Sequence, residues 1–97
     1  MLQKRWQGAR NPVSLDHVNQ RLRTTILVLA GERGPDKTIC PSDAARAIGG
    51  DDWRALMDDA RDAARALAVE GLVEITQKGV ALDPAAPWRG PVRIRIR

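Results

Sequence analysis

The residues with the most chemistry to offer are cations in a regular arrangement. The chain ends in PVRIRIR, which sets Arg93, Arg95 and Arg97 at alternate positions with Val92, Ile94 and Ile96 between and before them. In an extended strand alternate side chains share a face, so the three guanidiniums line one side. Their separation is roughly 7 Å, close to the phosphate spacing along one nucleic-acid strand. Lys78 and Arg89 precede them, and Asp83 is the only acid in residues 75–97, so this segment carries a net +4. The chemistry implied is contact with successive backbone phosphates, without reading of bases. The competing account is a wet outer sheet face whose charges discourage pairing with other chains. Glu74 can pair with one of these arginines and not with all of them.

A second set, Arg54, Arg61 and Arg65, falls within about 40° on a helical wheel at 100° per residue. Such a stripe can enter a groove, but Asp51, Asp52, Asp58, Asp59 and Asp62 surround it, and residues 51–74 carry a net −4. Acids near phosphate oppose a contact whose affinity comes largely from neutralising phosphate charge. The alternative is a set of surface pairs, Arg54 with Asp58, Asp58 with Arg61 and Asp62 with Arg65, each worth roughly a few tenths of a kcal/mol.

Other reactive residue types are sparse. His17 is the only histidine and falls on the polar side of its helix; Cys40 is the only cysteine, so no internal disulfide can form, which suits a reducing cytoplasm. Cys40 stands at a helix start, where a thiolate is favoured, but it has neither an adjacent histidine nor a second thiol. A structural cysteine is the better reading and a thiol-based sensor trails behind it. No metal-ligand spacing, phosphate-cradling loop or nucleophile elbow is present. Asp51 and Asp52 read as helix caps rather than an acid–base pair. The expectation is a protein that is not an enzyme and needs no cofactor or metal.

The elements that must position these side chains follow from length and periodicity. Ninety-seven residues support one core. A composition 43% hydrophobic and 29% charged lies outside the range that stays disordered. Phe and Tyr are absent, so the core is aliphatic and rich in alanine, and stacking platforms for single-stranded bases are few. The longest apolar run, Ile26 to Ala30, is too short to span a membrane, which points to a soluble, cytoplasmic protein with no membrane partner.

Ser14 is a suitable N-cap for a helix with Leu15, Val18, Leu22, Ile26 and Leu29 on one face, ended by GERGPD. KTIC is a short β-prone piece. Pro41 and Ser42 open a brief helix that Gly49 and Gly50 close. The next helix is expected from about Asp52 to Glu70, with Trp53, Leu56, Ala60, Ala63, Ala64 and Leu67 on one face and Gly71 at C′. The period then becomes twofold in LVEITQ, turns at Gln77 to Gly79, resumes at Val80 to Leu82, and after DPAAPWRGP ends in VRIRIR. Trp53 reads as core, while Trp88 either folds over the sheet or stays exposed for a partner.

This order is that of an α+β winged helix-turn-helix: three helices and a small antiparallel sheet with a wing, over residues 14–97, behind a flexible basic arm of residues 1–13. The stretches KTICPSDAARAIGGDDWRALM, VEITQKG and DPAAPWRGPVRIRIR also resemble, in order, a small bacterial family known as domain of unknown function 3253. The resemblance covers about Ile26 to Arg97 and implies a winged-helix-like fold; it brings no established activity, cofactor or catalytic residue.

The functional expectation is a nucleic-acid-binding module, acting as a transcriptional regulator on double-stranded DNA. Lys78, Arg89, Arg93, Arg95 and Arg97 of the wing and last strand make the contact, and Arg54, Arg61 and Arg65 form a secondary set. The alternative is a protein-interaction or homodimerisation module, in which the acidic segment of one copy meets the basic wing of another.

Overall fold

A computed structural model of the chain describes residues 10–97, with side chains from residue 17 onward. Most of the expected basic arm therefore lies outside the described residues. Helix α1 spans Arg10–Arg33, so Ser14 is inside it and is not its cap. Pro12 does not prevent this earlier start, because first-turn N–H groups have no intrahelical partner to lose. Leu22, Ile26 and Ala30, each four residues apart, are fully buried, and Val18 and Leu29 pack beside them. Gly34, at φ +83°, ends the helix and returns its N–H to Ala30 at 3.1 Å.

Helix α2 spans Pro41–Gly49. Proline at its first position loses nothing, and the Asp43 carboxylate accepts the Cys40 N–H at 2.9 Å. Gly50 follows at φ +56°, a conformation that disfavours side chains.

The single helix expected from about Asp52 to Glu70 is not what forms. A 3₁₀ segment, Gly50–Leu56, precedes α3, Met57–Val69. Asp52, at φ −94° and ψ 16°, departs from helical geometry. Leu56 folds back onto α2, its Cδ1 2.8 Å from where a Cβ on Gly49 would stand. Within α3, Ala60, Ala63, Ala64, Leu67 and Ala68 are buried. Its end is a Schellman motif, with Leu72 N–H to Leu67 O and Gly71 N–H to Ala68 O, both 3.0 Å, and Gly71 at φ +83°.

The sheet is three-stranded and antiparallel, in the order β2-β1-β3, from β1 (Val73–Gln77), β2 (Val80–Ala81) and β3 (Arg93–Ile96). Lys78 and Gly79, at φ 52° and 81°, make the tight turn between β1 and β2, whose backbone twist suits a two-residue hairpin. Of KTIC only Ile39 joins the sheet, exchanging backbone hydrogen bonds with Ile94 at 2.8 and 2.7 Å. Val73, Ile75, Val92 and Ile94 point into the core against α1 and α3. The architecture is thus α+β with a small antiparallel sheet. Thr76, on the opposite side of β1 and paired with both Ala81 and Arg93, is only 3% exposed although alternation assigns it to the wet face.

Candidate functional site

Between β2 and β3 the chain runs through Asp83 to Pro91, a proline-rich loop held down by side chains from two other elements. Arg65 of α3 donates to the carbonyls of Pro84 and Ala86, the latter at 2.8 Å, and its guanidinium lies 4.1 Å over the Trp88 ring. Arg61, one turn earlier, donates to Gly90 O at 3.2 Å and Trp88 O at 3.4 Å. Trp88 folds back, half-buried, and its indole N–H reaches Asp83 O at 3.2 Å. From β1, Gln77 Nε2 donates to Arg89 O at 2.6 Å and Pro91 O at 3.0 Å. Four consecutive carbonyls, from Trp88 to Pro91, therefore accept from Arg61 or Gln77. The loop is a strap fastened by its backbone, and backbone carbonyls hold arginine without a compensating negative charge.

The eight basic residues singled out from the sequence thus separate into groups. Arg61 and Arg65 face their own loop rather than a common exposed stripe, and they make none of the expected pairs with Asp58 or Asp62. Arg54 lies 4.6 Å over Trp53 and is not paired with Asp58.

On the outer face of β3, register places Arg95 opposite Glu74, and the two form an ion pair. Arg93 Nε donates to Thr38 Oγ1 at 2.8 Å, and the same guanidinium reaches Thr38 O and Cys40 Sγ. Even so, Arg93 remains exposed. The Cys40 thiol, half-buried just before α2, is engaged as a neighbour of this arginine.

Lys78, Arg89 and Arg97 are exposed, and their side chains make no hydrogen bond or ion pair with other described residues. The fold brings two of them together: Lys78 is at the hairpin turn, and its neighbour Gln77 grips the carbonyl of Arg89. What periodicity missed is Gln77, read only as a turn residue. A lone glutamine at a strand end gives no signal of the loop that it holds.

Among the described residues no group of three or more His, Cys, Asp or Glu side chains is placed to hold a metal ion, and no helix is long and apolar enough to cross a membrane. An open groove of about 560 Å³ between α1 and α2 balances Glu32 and Asp43 against Arg33 and Arg46, over Leu29, Ile39 and Ala47.

No curated protein matches the chain. Residues 19–97 match the pattern of a family described as protein of unknown function (DUF3253), which takes in the second half of α1 and every later element described above. The chain belongs to the DUF3253 family.

Proposed function

We propose that the protein is a winged-helix module that binds the backbone of nucleic acid, with double-stranded DNA as its partner, and that it is not an enzyme. The winged-helix reading is supported by the Ile39 bridge, which lies beside β3 while β3 lies beside β1, around a helix–turn–helix made by α2, the 3₁₀ segment and α3. The strap and the β1–β2 hairpin then make up the wing.

The observation that carries the binding reading is the placement of Arg89. Its side chain is free and exposed while the carbonyls on either side of it, and its own, are fixed to Arg61 and Gln77. A cation on a fixed backbone loses little freedom when it meets a phosphate. Lys78 and Arg97 supply further free cations, and Arg93 and Arg95 extend the row along β3. Arg61 and Arg65 serve by positioning the wing.

Titration of labelled duplex DNA at several salt concentrations tests this. Affinity falls with salt, with a log–log slope of about 0.9 for each phosphate contacted. Changing Lys78, Arg89 and Arg97 together to Ala lowers affinity and removes a matching part of that slope. No binding by the unaltered protein even at low salt would sink the reading.

A second reading, self-association, is favoured by Asp51, Asp52, Asp58 and Asp62, all exposed and outside any ion pair among the described residues. It expects a dimer at low salt in the same samples, detected by sedimentation.

A further inference from the structure

Arg46, Trp53 and Arg54 form a cluster that neither the core nor the wing requires. Arg46, from α2, and Arg54, from the 3₁₀ segment, lay their guanidiniums 4.3 and 4.6 Å from the centroid of the same Trp53 ring. Trp53 is half-buried against the core, which fixes the ring. Both arginines are exposed, and neither is at ion-pair distance from a carboxylate among the described residues.

Two like charges gathered on one ring repel each other. The ring offsets part of this, at about 0.5–1 kcal/mol for each exposed cation. It also orients the guanidiniums and leaves their edge N–H donors free. Forked donors held in this way suit the oxygens of a phosphate, and the negative charge of a nearby backbone offsets their repulsion.

Nearby acids narrow the ligand. Asp51 and Asp52 are exposed on the same 3₁₀ segment, and Asp58 stands one turn beyond Arg54. Asp43, one turn before Arg46, is occupied with the Cys40 N–H. Their repulsion makes the site too weak for a small free anion, but not for a phosphate delivered on a polymer that is already held elsewhere. A stacked base is disfavoured, because it would have to displace a guanidinium from the ring.

We propose that Arg46 and Arg54, stacked on Trp53, are a second phosphate-contact site for duplex backbone. The inference rests on the nucleic-acid reading of the wing. The test compares the unaltered protein with an Arg46→Ala, Arg54→Ala double variant on labelled duplex and on single strands of equal length, over a range of salt. Both positions are exposed, and the thermal midpoint of the variant checks its fold. The expected result is about tenfold weaker duplex binding at low salt, with the slope reduced by about two phosphates. If the unaltered protein binds with steep salt dependence and the variant matches it in affinity and slope, the site is overturned while the wing reading stands. A loss confined to single strands overturns it in favour of base stacking. Absence of binding by the unaltered protein overturns both proposals.

Discussion

The Arg65 guanidinium lies 4.1 Å over the Trp88 ring while donating to the carbonyls of Pro84 and Ala86, so a helix side chain holds the loop that separates β2 from β3. Each of these hydrogen bonds contributes about 0.5–1.5 kcal/mol net, and the ring contact adds about 0.5–1. Arg65→Ala is expected to lower stability by about 2–3 kcal/mol, read from the urea midpoint, and to shift tryptophan emission to the red as Trp88 meets water. A variant with unchanged midpoint and emission would show that the strap holds without this residue.

Gln77 acts on the wing without charge. Its amide holds the Arg89 and Pro91 carbonyls, and Gln77→Ala removes both bonds, at a cost of about 1–2 kcal/mol. Under the nucleic-acid reading the variant also binds duplex several-fold more weakly with an unaltered salt slope, since no phosphate contact is deleted. A reduced slope would mean that loosening the strap removes a phosphate contact.

The hairpin turn gives a backbone test. Gly79 sits at φ +81°, where an L side chain is strained, so Gly79→Val is expected to cost about 1–2 kcal/mol by thermal or urea unfolding. Lys78, at φ +52°, already bears such strain; Lys78→Gly should leave stability within about 0.5 kcal/mol. The same change weakens duplex binding under the reading above, which separates charge from fold at one position.

Ile94 is fully buried, and its backbone joins the Ile39 bridge to the pairing of β3 with β1. Ile94→Ala leaves a cavity at the junction of sheet and helices and is expected to cost about 2–5 kcal/mol in chemical denaturation. A cost under about 1 kcal/mol would mean that the site collapses around the smaller side chain.

Arg23 donates to both Glu70 oxygens, at 2.8 and 2.9 Å, across α1 and the end of α3. The hydrogen bond to the guanidinium, helped by its charge, holds the Glu70 carboxyl below the usual carboxylate range, against a smaller upward push from desolvation. A folded-state value below the unfolded one makes the contribution complete above the unfolded pKa, about 4.3. It is lost as pH falls through the lowered folded value. Glu70→Gln should therefore flatten part of the decline in thermal midpoint on the acid side, and leave the slope above neutrality unaltered.

Much of the scaffold is legible in local pattern. Leu22, Ile26, Ala60, Ala63, Ala64 and Leu67 recur at helical spacing, and all are buried. Gly71 marks a helix end because only a residue tolerant of positive φ completes the Schellman motif. The alternation in VRIRIR separates Val92 and Ile94, in the core, from the arginines on the outer face. These features depend on neighbours within a turn or two of chain, and period alone carries them.

The basic residues show where local pattern stops. On a helical wheel Arg61 and Arg65 are surface cations one turn apart, with aspartates in reach. In the folded chain they turn to carbonyls 19 to 29 residues away. Arg95 takes Glu74 across a ladder, Arg93 takes Thr38 from 55 positions earlier, and Arg54 shares Trp53 with Arg46. The amino-acid sequence by itself determined which faces are apolar, where helices stop and how many cations the chain carries. Only the tertiary structure decided which cations are spent on the protein and which stay free, because a guanidinium chooses among donors' partners brought near by the fold, and backbone carbonyls leave no mark in residue type.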